Sequence, residues 1–518
     1  MQLKPQKSSQ LQLVETNLTK TFAKELEVSL NELKLEQSID SYGLDSLRVA
    51  KIIGKVESDF KVKLSFEDFE ASPTIASLAK LVCSKLDNIP EPALKLGDTL
   101  EPNSTSVGYE SPNILANSLK ERLLKPIQTR FLKPDLDIVQ AAPKVVGATS
   151  NFPQEYFEQE NLIRIFLDNL TSEDIDIDPA EVKRFFTNVD LKGRHFALSP
   201  SFNLKEDEAL EKGIKAAVEL SVSAIDSLLE SQSLEHKDIS MVVESSLLPA
   251  TPSIFARVMS VSPFSSHTKR MSLYGVGCMN GVHSLSKIQD YLVGHPAEAV
   301  VLISVELASV LWQGSFQKDL KQYLAEHLQD PQKYDSAIKM TLVTAALFGD
   351  GAVALLIVGS EHYLYDSDTG QQPQIIDSRS NLVPGTSDLI GVDILLNNSS
   401  LRAIVRPEVP YLLPDAIAKT IEPLLEKNNL SLEDISHWIL HPGGPKIVRE
   451  IEARFHLNSE ALSLSRSTLS EKGNLSSAHV LYMLEELLES PTPPAKGEYG
   501  LMIAMGPGLS QEAILLKF

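Results

Sequence analysis

Apolar residues recur at helical spacing through the first ninety positions, then give way to short buried runs beyond residue 138. Residues 11–29 predict a helix. From Ser46 to Phe60 a second is expected, with Val49, Ile52, Ile53, Val56 and Phe60 on one apolar stripe. Pro73-Thr74 opens a third, Ile75 to Leu86, whose Ile75, Leu78, Ala79, Val82 and Leu86 share a face. Such stripes need one another for burial, so this segment reads as a small helical bundle.

Residues 88–111 are rich in Pro, Asn, Ser and Gly with no sustained period, as expected of a flexible tether, and an amphipathic patch follows at 113–131. From about Ile138 apolar runs at 241–243, 299–305 and 352–358 read as buried strands. Helical patterns at 207–230 and 411–427 alternate with them, which predicts a large α/β domain.

Composition narrows the function classes. The chain has 518 residues and a formal charge of −21, which argues against a general nucleic-acid or anionic-membrane binder. Charge in the first ninety residues is nearly balanced, so the acidity belongs to the larger part. Only Cys83 and Cys278 occur, too few for a disulfide framework, and a reducing compartment is expected. The start lacks an apolar signal core, and the runs at 299–312 and 344–359 are too short for a span and are broken by Glu306 and Asp350. A cytoplasmic protein is expected, without membrane or nucleic-acid partners and without a bound metal.

Two places carry chemistry. Ser46 lies in Gly43-Leu44-Asp45-Ser46-Leu47, an exposed helix start that a modifying enzyme could reach; taken alone it reads equally as a helix N-cap. Cys278 lies in Gly275-Val276-Gly277-Cys278-Met279-Asn280-Gly281 before a helical run from 282 to 292, where the helix dipole is expected to favour thiolate. His441, in His-Pro-Gly-Gly-Pro, ends the strand-like 438–440, and Asn474, in Gly-Asn-Leu-Ser-Ser, opens a helix over 478–488. Singly these read as an inert buried Cys, a turn residue and a cap; together they read as a thiol active site. Cys83 reads as a small core residue.

Residues 12–87, with the Ser46 motif and Phe69-Glu70-Ala71-Ser72-Pro73-Thr74-Ile75, resemble the acyl and peptidyl carrier proteins. That resemblance implies a four-helix all-α bundle, 4'-phosphopantetheine attached to Ser46 and a phosphopantetheinyl transferase as partner. From 138 onward the Cys278, His441 and Asn474 motifs, with Leu347-Phe348-Gly349-Asp350-Gly351-Ala352 and Gly506-Pro507-Gly508-Leu509, resemble the type III polyketide synthases, chalcone synthase-like enzymes. This implies an α/β thiolase-like fold of two duplicated αβαβα halves, a homodimer, and decarboxylative condensation with malonyl-CoA. In it Cys278 is acylated, His441 holds the sulfur as thiolate, and His441 with Asn474 bind the oxygen charge. The expected layout is a carrier at 1–87, a linker at 88–135 and a synthase at 136–518.

Against the family pattern, Phe348 keeps one of two gating phenylalanines of plant members, while the other falls at Ala403 beside Leu401. The lost ring leaves room for a longer, fatty acyl starter, unless Trp312 refills it; Gly506, Pro507 and Gly508 complete the expected pocket. Of the basic coenzyme A anchors only Arg184 persists in Glu181-Val182-Lys183-Arg184 and Asn188. Arg48, Lys51 and Lys55 near Ser46 suggest a basic carrier helix docking on an acidic synthase, or merely a solvated face. The expected function is a carrier-fused synthase that takes an acyl starter from Ser46, or from an acyl-loading enzyme or acyl-CoA donor, and cyclises a pyrone or resorcinol. Alternatives are a β-ketoacyl synthase III-like single condensation and a non-catalytic scaffold.

Overall fold

The computed structural model describes residues 7–26, 28, 33–39, scattered positions from 49 to 72, and 74–87. It further describes 142–518, apart from 173–176, 201–203, 249, 314–319, 321, 325–330, 367–371, 396–399 and 407. Contacts divide the chain into two units, Met1–Ile138 and Val139–Phe518.

In the first unit the helix Lys7–Leu26 buries Val14, Leu18 and Phe22, spaced four apart on one face. Phe22 stacks parallel on Phe69 with ring centroids 6.0 Å apart. The helix Ile75–Asp87 buries Ile75, Leu78, Ala79 and Val82, as the periodicity requires, while Cys83 and Leu86 are half-buried. Its start is capped: the Ser77 amide donates to Thr74 Oγ1 at 3.1 Å, and the Thr74 amide donates to Ser77 Oγ at 2.9 Å. Val49, Ile52 and Val56 are buried, and Ile53 and Phe60 half-buried, so the predicted stripe faces a core. Ser46, Arg48, Lys51, the tether and the patch at 113–131 lie outside the described residues. Lys55 is exposed.

Among the described residues the second unit has thirteen strands: β1 Lys144–Asn151, β2 Tyr156–Glu158, β3 Gly193–His195, β4 Met241–Ser245, β5 Lys269–Leu273, β6 Ala299–Glu306, β7 Gly351–Val358, β8 Gln374–Leu382, β9 Ile390–Leu395, β10 Ser400–Val405, β11 Ile435–Leu440, β12 Tyr499–Gly506 and β13 Ser510–Lys517. Nine of them run in the order β11-β12-β13-β8-β1-β7-β6-β4-β5. The order contains a repeat. β4 pairs parallel with β6, then β6-β7 and β7-β1 pair antiparallel; β11 pairs parallel with β12, then β12-β13 and β13-β8 pair antiparallel. The halves meet where Lys144 pairs with Gln374.

β6 and β7 are buried along their whole length, which is why their sequences are mostly apolar rather than alternating. The helix Glu206–Ser231 covers β1, β6 and β7 on one side, and Val409–Lys427 covers β8 and β13 on the other. Between the halves lie the helices Asn280–Gly294 and His479–Leu488, packed against strands of both. Leu285, Ile288, Leu481 and Leu484 from these helices share a core with Leu302, Leu355, Met502 and Ile514. The layers therefore run α, β, α, β, α.

The two central helices approach closely at their starts. A Cβ on Gly281 would stand 2.2 Å from the Ser477 carbonyl oxygen, a backbone atom that cannot move alone. Gly281→Ala is expected to lower unfolding stability by about 1–3 kcal/mol. Gly294→Ala, at the open end of the same helix where nothing lies within 4 Å, is the matched control. Denaturant melts of equal midpoint for the two variants would overturn this account.

Candidate active site

Cys278 sits in a 3-10 turn, Gly277–Met279, that runs straight into the helix Asn280–Gly294. The turn depends on backbone that only small residues permit. Gly277 has φ +55°, and a Cβ there would stand 2.7 Å from Pro507 Cδ. Gly506 faces the same turn, since a Cβ on it would stand 2.3 Å from the Val276 carbonyl oxygen. The Gly506-Pro507-Gly508-Leu509 loop is thus the platform under the cysteine turn. It is held by Ser510 Oγ donating to Pro507 O at 2.6 Å and Thr386 Oγ1 donating to Gly508 O at 2.8 Å.

His441 follows β11 and is buried, its amide continuing the parallel pairing to Ile503 O at 2.8 Å. Asn474 is buried on a loop whose backbone is clamped to the Phe348 segment: the Asn474 amide donates to Leu347 O at 2.9 Å and the Gly349 amide to Asn474 O at 3.0 Å. Its side chain joins two loops. Nδ2 donates to Gly443 O at 3.2 Å, in the loop opened by His441, and Oδ1 accepts from the Ser476 amide at 2.8 Å. An amide group has two N–H donors, so one remains for a ligand. Ser476 completes the connection, its hydroxyl 3.5 Å from Cys278 Sγ.

Burial sets the electrostatics. It pushes the Cys278 thiol up to about 11, helped by the Glu306 carboxylate and opposed by the Ser476 hydroxyl. It brings the His441 imidazole down to about 3. The direction at Cys278 runs against the expected dipole-stabilised thiolate: at this half-buried sulfur, desolvation opposes the field of one helix end.

Four groups around this centre escaped the sequence reading. Glu306 ends β6; burial pushes its carboxyl up to about 7 while the Ser477 hydroxyl and the Leu247 amide donate to it. Ser477 also meets Ser245 and Ser304, each at 2.8 Å. His479 lies edge-on to His441 with ring centroids 5.8 Å apart, accepts the Leu475 amide at Nδ1 and contacts Thr468 Oγ1 at Nε2. Arg194 is fully buried against Phe186, Phe196 and Trp312, with Nη2 donating to Ala345 O at 2.6 Å. A Cβ on Gly349 or Gly473 would press on it, so it backs the Asn474 loop. The one available signal was an acidic residue at the end of an apolar strand, as at Glu306.

Other expected positions fall differently. Phe348 is half-buried and paired through its backbone with Asn474. Trp312 has no exposed surface and lies in a core with Phe166, Phe186 and Phe196, which accounts for its bulk by packing rather than by filling an acyl pocket. Leu401 and Ala403 are on β10, paired with Ile394 and Val392 of β9; their side chains are outside the described residues. Arg184 is exposed on the helix Pro179–Asn188, 3.5 Å from Glu181. Asp350 ties the Phe-Gly-Asp-Gly turn down by accepting from the Ala197 and Ser309 amides, each at 2.8 Å.

Comparison with known proteins gives this geometry its context. The family model for chalcone and stilbene synthases, C-terminal domain, matches residues 374–518, and that for the FAE1/type III polyketide synthase-like proteins matches 158–320. A phosphopantetheine attachment site matches 17–82. A 1,3,6,8-tetrahydroxynaphthalene synthase of Streptomyces peucetius subsp. caesius is 29% identical over 393 residues, 74% of this chain and 94% of that one. A protein of Bacillus subtilis (strain 168), provisionally named a chalcone synthase, is 31% identical over 321 residues, 61% of this chain and 81% of that one. Among solved structures, PKS-I of the brown alga Ectocarpus siliculosus shares the fold with a TM-score of 0.62 at 22% identity, covering 73% of this chain and 98% of that one. The chain belongs to the chalcone synthase-like type III polyketide synthases, acyltransferase-type condensing enzymes of thiolase-like fold, and carries a phosphopantetheine attachment domain ahead of the synthase.

Proposed function

We propose that the chain is a self-supplied synthase: a carrier at 1–87, joined by a linker at 88–135 to a synthase at 136–518, presents a fatty acyl starter from Ser46 to Cys278. The observation that carries this reading is the presence, on one chain, of a phosphopantetheine attachment match over 17–82 and a half-buried Cys278 joined through Ser476 to the Asn474 and His441 loops. Phosphopantetheine on Ser46, installed by a phosphopantetheinyl transferase, would supply a thiol on a long flexible arm. Val49, Ile52 and Val56, which follow Ser46 in the sequence, are buried.

Cys278 attacks the starter's thioester carbon; a new C–S bond forms, the donor thiol leaves, and the cysteine proton balances it. A malonyl thioester, with malonyl-CoA as the source, loses CO₂ in the same cavity. Neutral His441 and the free Asn474 N–H donate to the enolate oxygen that results. The enolate carbon attacks the acyl carbon, and Cys278 leaves as thiolate. Repetition and ring closure give a pyrone or resorcinol. Ala403 in place of a ring supports a long starter, and Lys55, exposed on the carrier, supports docking through a basic helix with Arg48 and Lys51. The synthase part is read as a homodimer acting in the cytoplasm.

Peptide mass spectrometry on the phosphopantetheinylated protein tests carrier loading. The acyl mass should move from Ser46 to Cys278 and accumulate on Ser46 in Cys278→Ala; acylation of Cys278 from acyl-CoA with Ser46 unmodified would overturn it. Asn474→Ala should lower malonyl decarboxylation by about 10²–10³-fold while acyl transfer to Cys278 persists. A decarboxylation rate unchanged by Asn474→Ala removes that residue from the oxyanion role.

A further inference from the structure

Asn474 keeps one N–H for a ligand, and where that N–H points is set by the loop that carries it. The loop, 473–478, joins the helix Ser463–Lys472 to the helix His479–Leu488. We propose that His479 is the positioning residue of this loop: its imidazole clamps the Leu475 amide and so fixes the direction of the free Asn474 N–H. The inference rests on the oxyanion role read for Asn474 above.

The backbone of this loop needs outside support. Gly473 takes φ +68° and Ser476 φ +51°, a left-handed conformation that costs a serine energy unless its surroundings enforce it. The Leu475 amide, in a residue with no exposed surface, finds its acceptor in His479 Nδ1 at 3.2 Å. Accepting there places the ring proton on Nε2, which donates to Thr468 Oγ1 at 3.1 Å; the Thr468 hydroxyl in turn donates to Leu464 O at 2.7 Å. Every donor in this chain points the same way, from the loop through the ring into the preceding helix. One side chain, at the first turn of the second helix, thus ties the loop to the helix before it.

Both ring nitrogens are engaged within the protein and His479 has no exposed surface, so its part is mechanical rather than the transfer of a proton to substrate. An apolar side chain of similar size would fill the volume but leave the Leu475 amide without an acceptor in a buried place. The loop would then turn that N–H toward another acceptor and carry Asn474 with it. His441 lies edge-on to the same ring, with centroids 5.8 Å apart and planes at 85°, so the imidazole that braces one donor is also packed against the other.

Malonyl-CoA decarboxylation by the full-length protein without a starter tests this, with three substitutions that separate the two ring nitrogens. His479→Asn places Oδ1 where Nδ1 stands and keeps the acceptor for Leu475; His479→Gln reaches Thr468 but not the Leu475 amide; His479→Leu does neither. His479→Leu and His479→Gln should lower kcat by about tenfold or more with KM unchanged, because the contact they misplace is made only in the transition state, and His479→Asn should restore most of the rate. In an Asn474→Ala background none of the three should cost anything further, since the group they position is gone. Should His479→Leu fail to fold, the Asn and Gln variants decide. Positioning is overturned by His479→Asn as slow as His479→Gln, by a loss that appears in KM alone, or by a further loss on the Asn474→Ala background, as a general loosening of the core would give. Wild-type kcat in all three variants overturns it as well, and if Asn474→Ala is slow in that assay the oxyanion reading stands without it. If Asn474→Ala is itself as fast as wild type, both fall.

Discussion

Everything in the synthase unit is arranged around the start of one helix, Asn280–Gly294, pressed against two loops from the other half of the molecule. Its second residue, Gly281, touches the Ser477 carbonyl; the turn before it, through Gly277 and Val276, touches Pro507 and Gly506. These approaches leave no room for a Cβ, so the chain must carry glycine at each. What is gained is rigidity. Cys278 projects from a turn fixed on both sides by backbone rather than by adaptable side chains, and the repeated strand pattern of the two halves brings those backbones together.

That rigidity comes with burial, and burial governs the chemistry. At a half-buried thiol, two buried imidazoles and a buried carboxyl, desolvation shifts each toward its neutral form. The field at a helix N-terminus is worth a few tenths to about 2 kcal/mol, less than the penalty for a charge removed from water. The site is therefore a place for charges that appear briefly, during condensation, against donors already aimed. Asn474 illustrates this: its carbonyl oxygen and one N–H are spent on holding two loops, which fixes the direction of the other N–H.

Much of this was readable from the chain. The buried strands at 299–305 and 352–358 are β6 and β7 to within a residue at one end, because strands covered on both faces are written as nearly continuous apolar runs. The carrier helices were legible from their stripes, with Leu78 and Val82 buried as their spacing demanded. Trp312 was misread as a possible pocket filler, because sequence shows that a large ring must be buried somewhere but not against what. Glu306 was seen only as an interruption of an apolar stretch.

The sequence by itself determined the elements and the residue types that carry chemistry: periodicity selects helix or strand, and glycine-flanked Cys, His and Asn announce turns where backbone and reactive groups are exposed. The tertiary structure alone decided protonation and partnership. Whether Cys278 is thiol or thiolate depends on how completely water is removed and on a carboxylate 28 positions along the chain in another element, and the Ser476 hydroxyl that reaches its sulfur lies 198 residues away in sequence. Local pattern holds no record of such distances, because desolvation and hydrogen bonding are set by which distant segments fold into contact.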